Sequence, residues 1–518
     1  MAQLLGGVPE VLSTPEVTVH GRGAVLQQDG TRMLWGHSAQ PRDPADSQAD
    51  AFVLDREPAT IRIQGTQSGA PPVYVDVAED HLTFSSVLDP LIRTRPGGVA
   101  PDWTGVAQMV AGSGPLAGRT VIAGIDRLRP GEQVCYGPGR TLRRTVEWQW
   151  PQNQAGSGTQ EELAEAVTRA VGGLARGGPL ISMLSGGWDS RLLLAVAHNT
   201  PGRGEIQAFT TSSDTGTVME ELVAAQVAEH LGVSHEIVMP HRSQFAADLA
   251  DFAVAADYQT AFHVWLVPLA RAVLAAHRAR ADGAVPTVLD GLGGGLFIGS
   301  SFSDEQAGRS LVETRLAGVT RYLGTADRVL RPGVVRTVTD RIRADAEPTV
   351  HRFREHPYGH ILTAYLTRTV PGISLAPHGL MARTGPVATP FLCSDVVSAG
   401  LRLQPLEHAQ DRLYPLLTGA IDPALSRLPT AQAQVPWPRP HPRRITSIEA
   451  VRHLRALLLR EPVRALVAPS LIEAGPKHWR ALLATTGGQH LIRGLAVLSL
   501  WCDAYADMMP DADMRELG

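Results

Sequence analysis

The chain of 518 residues is longer than the size at which one hydrophobic core keeps growing, so we expect two domains. Hydrophobic residues make up 44% and charged residues 19%, which excludes wholesale disorder. The net charge of −4 gives no basic footprint for nucleic acid, and no apolar run approaches bilayer length. We therefore expect a cytoplasmic protein without a membrane span and without a nucleic-acid partner.

The chain begins with short alternating apolar runs that are broken by Gly, Pro and Asp, a pattern typical of strands. The clearest strands are predicted at residues 17–20, 59–63, 73–76 and 81–84. The polar stretch 152–160 has the composition of a linker. We therefore predict a β-rich first domain over residues 1–151 and a second domain over residues 161–518.

Beyond the linker, strands alternate with helices, which predicts an α/β fold with a parallel sheet and a helical C-terminal part. A helix is predicted at 161–175, and strands are predicted at 205–211, 235–239 and from 287. Thr217 and Glu220 have the spacing of a capping box, and Gly232 is expected to end the helix that follows.

The segment 181–194 joins an apolar strand to a helix through Ser185, Gly186, Gly187, Trp188, Asp189 and Ser190. Glycines there let the backbone approach an anion, and the helix start and the serine hydroxyls supply donors. A carboxylate beside phosphates is reasonable if it holds Mg²⁺, which prefers carboxylate and phosphate oxygens. The segment predicts a nucleotide site; the alternative is an ordinary glycine-rich turn.

A second predicted strand, from residue 287, ends in Asp290, Gly291, Leu292 and three further glycines. Ligands collect at the carboxyl ends of parallel strands, so the two glycine-rich ends are expected to form two walls of one site. A plain flexible turn is the alternative for this second segment. The proline-rich stretch 435–444 is expected to be a surface loop, with peptide docking as its alternative.

At these residues the sequence resembles known proteins. Segment 185–190 resembles the loop of the ATP pyrophosphatases, and the order of segments along nearly the whole chain resembles the asparagine synthetase family. Segments 69–74, 82–86 and 124–131 are similar to the amidotransferase domain of that family, which has an Ntn-type fold. Segments 220–232 and 389–392 are similar to parts of its adenylating domain.

The resemblance implies that ATP adenylates a carboxylate and that pyrophosphate leaves. It assigns pyrophosphate to Ser185, Gly186, Gly187 and Ser190, Mg²⁺ to Asp189, and adenosine to the main chain of Met183, Thr211 and Gly291. Gly295 stands where the family usually carries a second metal-binding aspartate, so either Asp290 replaces it or phosphate and water hold the ion. Arg412 is the nearest match to a charge-stabilising lysine, although a plain surface arginine is an equal alternative.

Ala2 stands where glutamine-hydrolysing members have a nucleophilic cysteine, so we expect a degenerate amidotransferase domain that releases no ammonia. The amine is then expected to belong to the substrate, as in β-lactam-forming synthetases and the cyclases of lasso peptides. Leu292 occupies the place of the catalytic tyrosine of the β-lactam enzymes, and the motifs are more similar to those of the cyclases.

We therefore expect an ATP-dependent macrolactam synthetase that joins an Asp or Glu side-chain carboxylate of a precursor peptide to the peptide's N-terminal amine. A leader-binding protein and a leader peptidase are the expected partners. The alternatives are a β-lactam or other small-molecule amide synthetase, and a non-catalytic scaffold that binds nucleotide.

Overall fold

A computed structural model describes the backbone of residues 10–13, 17–20, 24–29, 32–36, 51–57, 60–77, 82–95, 97–137, 141–212, 218–299, 310–408, 412–434, 443–509 and 512–518. Side chains are described within the same ranges from residue 61 onward, apart from that of residue 141. Ala2, Thr217, Asp411 and residues 435–442 of the proline-rich stretch therefore lie outside the described residues.

The first part of the chain is rich in strands, as the alternating pattern predicts. Its strands are, in chain order, β1 (Glu10–Ser13), β2 (Val17–His20), β3 (Ala24–Asp29), β4 (Arg32–Gly36), β5 (Ala51–Glu57), β6 (Thr60–Gln64), β7 (Tyr74–Val77), β8 (Leu82–Ser85), β9 (Ile125–Arg127), β10 (Glu132–Gly137) and β11 (Thr141–Val146). Within the described residues they form one sheet of order β1-β2-β8-β7-β9 and a second, antiparallel sheet of order β11-β10-β6-β5-β4-β3.

These two sheets share a small apolar core. Burial alternates along β10, so that Val134 and Tyr136 point the same way. They meet Ile63 of β6 and Leu82 and Phe84 of β8 in one cluster. Because the cluster takes side chains from both sheets, the sheets pack face to face. Two helices also belong to this part of the chain, α1 (Leu88–Thr94) and α2 (Trp103–Ala111).

The second part of the chain is built on a parallel sheet, which confirms the predicted fold class. Its strands are β12 (Leu180–Met183), β13 (Ile206–Thr211), β14 (Ser234–Val238), β15 (Thr287–Leu289) and β16 (Val387–Ala388), in the order β14-β13-β12-β15-β16. Its first helices are α3 (Gln160–Gly177), α4 (Trp188–Asn199), α5 (Met219–Leu231), α6 (Phe245–Ala255) and α7 (Val267–Ala279). The inner strands are buried along most of their length, as expected of a sheet covered by helices on both faces.

A capping box occurs at a different helix from the one predicted. Helix α5 begins after Val218, which makes no side-chain cap bond, and Glu220 accepts from the Gly186 amide; the capping box of Thr217 and Glu220 stays a prediction, since Thr217 lies outside the described residues. One capping box starts α3, where Thr159 Oγ1 accepts from the Glu162 amide and Glu162 accepts from the Thr159 amide, and Ser310 and Glu313 form another at the helix Leu311–Val319. Thr159 belongs to the stretch that composition alone marked as a linker.

The C-terminal part is mainly helical, as predicted. Its helices are α8 (Gly294–Phe297), α9 (Leu311–Val319), α10 (Pro332–Arg352), α11 (Gly359–Ala364), α12 (Ser394–Arg402), α13 (Pro405–His408), α14 (Leu413–Ile421), α15 (Ile448–Leu458), α16 (Pro469–Ile472), α17 (Pro476–Leu483) and α18 (Thr486–Tyr505). A π-helical segment, Tyr365–Ile373, follows α11. Among the described residues, no helix has both the length and the apolar character that a membrane crossing requires.

Helix α18 connects the two parts of the chain through a shared core. It packs against α2 of the β-rich part and against α15 of the C-terminal part. The largest apolar cluster accordingly contains Tyr74 and Val110 together with Leu454 and Trp501. The contact between α2 and α18 is close, because a Cβ atom on Gly494 would lie 2.2 Å from the Val110 carbonyl oxygen.

Candidate functional site

The carboxyl ends of the inner parallel strands meet at one edge of the central sheet. In the register, Met183 at the end of β12 pairs with Phe209 of β13, and Ser182 pairs with Leu289 of β15. Met183 is partly buried, and Thr211 at the end of β13 is buried and donates from Oγ1 to the Val238 carbonyl over 3.1 Å. The predicted positions Met183, Thr211 and Gly291 therefore lie along one sheet edge.

The first glycine segment joins β12 to α4 in a loop that its own serines stabilise. The Ser190 hydroxyl accepts from the Ser185 amide over 2.9 Å, and the two hydroxyl oxygens lie 3.1 Å apart. The Gly187 amide donates to Ser185 Oγ over 3.2 Å. Gly187 is the N-cap of α4. Because glycine has no side chain, it cannot accept a hydrogen bond from the amides of the first turn. Such a helix start favours an anion.

Asp189, in the first turn of α4, lies against the second glycine segment. A Cβ atom on Gly291 would lie 2.9 Å from Asp189 Cβ, and one on Gly294 would lie 2.7 Å from Asp189 Cγ. Both positions therefore require glycine, because any larger residue would clash with Asp189. The two glycine segments do form adjacent walls, and the carboxylate of Asp189 lies where they meet.

Tyr414 of α14 also contacts this carboxylate. Its hydroxyl donates to Asp189 Oδ1, and its ring stacks on Trp188 with an interplanar angle of 6° and 6.2 Å between centroids. No local sequence pattern marks Tyr414 as a partner of Asp189, because the two residues are 225 positions apart. The only available signal was its place in the same short segment as Arg412.

Asp290 stabilises the turn that carries the second glycine segment. Its Oδ1 accepts from the Leu292 amide over 2.7 Å. Burial raises the pKa of this carboxyl to about 6, and the bond from Leu292 opposes the shift. Among the described residues, no three His, Cys, Asp or Glu side chains are grouped as metal ligands. Asp290 therefore has a structural contact in this turn, the hydrogen bond that its carboxylate accepts from Leu292.

Glu220 of α5 contacts the glycine loop directly. Its Oε2 accepts from the Gly186 amide over 2.7 Å. Burial raises the pKa of Glu220, the Gly186 bond lowers it, and the neighbouring charge of Glu221 raises it. Glu220 matched the family by position, but its contact with the loop had no signal in the local sequence.

Arg191 ties a distant segment onto the same loop. The side chain is fully buried, and its guanidinium donates to the carbonyls of Leu428 and Pro429, the latter over 2.9 Å. Burial lowers its pKa to about 10. It also lies 4.5 Å from the centroid of the Trp188 ring. One further bond, from the Ala431 amide to the Gly186 carbonyl over 2.9 Å, fixes this segment on the loop.

Arg412 is exposed and immediately precedes α14. Within the described part of the chain it makes no hydrogen bond or ion pair, and Asp411 beside it is not described. Tyr414, two residues further on, is the residue of this segment that contacts Asp189.

The comparison with protein families points in the same direction as the geometry. A model of the family described as asparagine synthase matches residues 159–471, which is more than half of the chain. The comparison with curated proteins gave no match. The matched range contains both glycine segments, Glu220, Tyr414 and the segment that Arg191 holds.

Proposed function

Because this chain belongs to the asparagine synthase family of ATP-dependent, AMP-forming ligases, we propose that it adenylates a carboxylate of a peptide and joins it to an amine of the same peptide. The observation that carries the proposal is the meeting of the uncapped start of α4, the carboxylate of Asp189 and the second glycine segment at one sheet edge. An acyl-adenylate is a good acyl donor, and an amine held beside it reacts in an effectively unimolecular step.

We assign the nucleotide to the residues at this edge. Ser185, Gly186, Gly187 and Ser190 are assigned to the pyrophosphate portion of ATP, because they form the loop that leads into the start of α4, where no side chain caps the helix. The main chain at Met183, Thr211 and Gly291 contacts adenosine, and Asp290 holds the second glycine segment in place through Leu292.

Asp189 is the residue that we assign to Mg²⁺. Its carboxylate is partly exposed and lies at the uncapped helix start, which suits an ion bound by one carboxylate, phosphate oxygens and water. The ion would neutralise charge on the departing pyrophosphate. Arg412 is the proposed second source of positive charge, and its exposure leaves its guanidinium accessible to a ligand.

The second glycine segment supports the proposal that the substrate is a peptide. Leu292 is buried and packs in an apolar cluster with Trp150 and Phe297, so this position offers no side-chain base. The motifs there resemble those of lasso peptide cyclases, which close a macrolactam ring. We therefore propose an Asp or Glu side-chain carboxylate as the group that is adenylated and the N-terminal amine as the nucleophile. A leader-binding protein and a leader peptidase are the proposed partners.

Magnesium-dependent ATP–pyrophosphate exchange, followed by mass spectrometry of the peptide, tests the proposal. A precursor peptide with a free N-terminal amine should support exchange and lose one water, whereas an N-acetylated peptide should not cyclise. Exchange with a small amino diacid instead would favour a small-molecule amide synthetase. No exchange with either substrate would favour a nucleotide-binding scaffold.

A matched pair of variants tests the site. Asp189→Ala removes an acid from the first turn of α4, and Asp395→Ala removes one from the first turn of α12. We expect exchange to fall at least about a hundredfold in the first variant and to stay unchanged in the second. Wild-type exchange in Asp189→Ala would show that the assignment of this site is wrong.

A further inference from the structure

A second cavity lies away from the sheet edge, between the β-rich part of the chain and the helices of the C-terminal part. Its volume is about 380 Å³, within the range of small-molecule sites. It is lined by apolar side chains and by several side chains that can donate hydrogen bonds. The lining residues used below are Leu116, Leu128, Val370, Arg127, Trp148 and Arg352. No residue of either glycine segment lines it.

Two donor atoms of these side chains, Arg127 Nε and Trp148 Nε1, are buried without an acceptor among the described residues. Arg127 is only 5% exposed; its Nη2 donates to the Gly69 carbonyl over 3.0 Å and to Ser374 Oγ over 3.1 Å, but its Nε has no acceptor among the described residues. The indole N–H of Trp148, which is 9% exposed, also lacks an acceptor there. A buried donor without a partner costs free energy, so each requires an explanation.

Positive charge is in excess around the cavity, because Arg127, Arg129 and Arg352 line it against one carboxylate, that of Asp345. Arg129 and Asp345 also line it, but each is already paired, Arg129 with Glu132 over 3.2 Å and Asp345 with Arg119 over 2.7 Å. Arg127 and Arg352 have no carboxylate within ion-pair distance among the described residues. The Arg352 guanidinium lies 5.6 Å from the centroid of the Trp148 ring, which brings it close to the unpartnered indole. Three arginines and one aspartate therefore line the cavity, and Arg127 and Arg352 are the two arginines among them without a carboxylate partner in the described chain.

We propose that this cavity binds a carboxylate attached to an apolar body. The carboxylate accepts from Arg127 Nε and Trp148 Nε1 and is neutralised by Arg127 and Arg352, while the apolar body contacts Leu116, Leu128 and Val370. A free organic acid and the C-terminal residue of an apolar peptide both have this chemistry. The proposal does not depend on the adenylating activity, because no residue of the nucleotide site contributes to the cavity.

Calorimetric titration of the full chain without ATP tests this inference. Phenylbutanoate is the probe, and phenylbutanamide is its neutral counterpart of the same shape. We expect the acid to bind at one site at least about tenfold more tightly than the amide, since a charged hydrogen bond contributes more than a neutral one. Equal binding of the two, or no binding of the acid, would overturn the proposal.

Two variants locate the site. Arg352→Gln changes an exposed residue of α10, and Arg343→Gln makes the same change elsewhere on this helix, where the arginine pairs with Glu347. Trp148→Phe keeps the aromatic ring and removes only the N–H. Arg352→Gln and Trp148→Phe should each weaken phenylbutanoate binding about tenfold, whereas Arg343→Gln should not. An equal loss in Arg343→Gln would mean non-specific attraction and would contradict the proposal.

A pair of short peptides ending in Phe distinguishes the sources of the carboxylate. Tighter binding of a peptide with a free C-terminus than of phenylbutanoate supports a chain end as the ligand. The reverse order supports a free acid. If the C-terminally amidated peptide bound as well as the free one, the carboxylate would have no role and the proposal would fail.

Discussion

Asp189 is positioned by contacts on several sides, and the hydroxyl of Tyr414 is one of them. Carboxylates that act on a ligand must be held within a fraction of an ångström, and residues that bond to them usually supply that precision. Tyr414 is therefore a positioning residue, and its effect should be separable from its packing against Trp188.

Tyr414→Phe keeps the stacked ring and removes the donor. We expect the rate of ATP–pyrophosphate exchange to fall about tenfold or more, because a hydrogen bond to a charged group contributes about 1.5–3 kcal/mol, while the melting temperature changes little. Tyr505→Phe is the control, since it removes a bond of the same kind, from Tyr505 to Asp89 over 2.7 Å, away from the sheet edge. Unchanged exchange in Tyr414→Phe would exclude a positioning role.

Asp290 makes the stability of the fold depend on pH. Its pKa is raised to about 6 from an ordinary value of 3.8, so the folded state binds a proton that the unfolded state has released. This contribution is present below about pH 4 and is lost as the pH rises through about 6. Asn at this position keeps an acceptor for the Leu292 amide and has no charge to bury.

The free energy of unfolding of Asp290→Asn, relative to wild type, should therefore increase by about 1–2 kcal/mol between pH 4 and pH 7, allowing for partial exposure of the group. Denaturant titrations at both pH values measure the difference. Asp282→Asn is the control, because an ion pair with Arg280 lowers the pKa of Asp282 and gives the opposite sign. A pH-independent difference for Asp290→Asn would contradict the assigned shift.

At the scale of elements, the glycine loop depends on the segment 428–431, which Arg191 holds from a position 237 residues earlier. A planar guanidinium can reach two carbonyl oxygens at once, whereas an ammonium cannot match this geometry. The conformation of the loop is therefore coupled to a segment that is remote from it in sequence.

Arg191→Lys should release this segment. We expect faster hydrogen exchange at the Ala431 amide, which donates to Gly186, and a loss of about 2–4 kcal/mol in the free energy of unfolding. Arg203→Lys is the matched control, because Arg203 also bonds two backbone carbonyls, those of His198 and Gly204, beyond the other end of α4. If Ala431 remained as protected as in wild type, Arg191 would not fasten the segment.

At the scale of the whole molecule, α2 and α18 join the β-rich part to the helical part. Ala at position 494 would place a Cβ atom 2.2 Å from the Val110 carbonyl, so the two helices must separate. The clash should exceed the gain of about 1 kcal/mol in helix propensity and lower the single melting temperature by about 5 °C. Calorimetry measures both the temperature and the number of transitions.

Gly318→Ala is the control for this change, because no heavy atom lies within 4 Å of the added Cβ on α9. Its melting temperature should stay the same or rise. Two separate transitions in the wild-type chain, with Gly494→Ala leaving the later one unchanged, would show that the shared core does not couple the two parts.

Local patterns predicted what local physics determines. The strands of the β-rich part, the parallel sheet and the glycine loop between β12 and α4 all follow from short runs of sequence. The capping box of Thr217 and Glu220 stays a prediction, because Thr217 is not described, but the bond of Glu220 to the Gly186 amide, which is remote in sequence, had no local signal. Thr159 was missed because its neighbours have the composition of a linker.

The rest of the candidate site could not be predicted, since it depends on contacts between distant residues. Tyr414 and the carbonyls of Leu428 and Pro429 reach the first glycine segment only after the chain has folded back. Residues 428–431 contribute only main-chain carbonyls and one main-chain amide to these contacts. Because such groups do not depend on the side chain, the residue types of this segment carry no signal.

The anchoring of residues 428–431 by Arg191 also has a consequence for biosynthesis. During translation the glycine loop and the strands of the parallel sheet are synthesised well before residues 428–431, which bond to Arg191 and to the loop. The nascent protein therefore cannot complete its nucleotide pocket during most of its own translation. Messenger RNA truncated before the codon for residue 428 would yield a chain without the two carbonyls to which Arg191 donates. We expect that chain to be inactive and to be degraded by proteases.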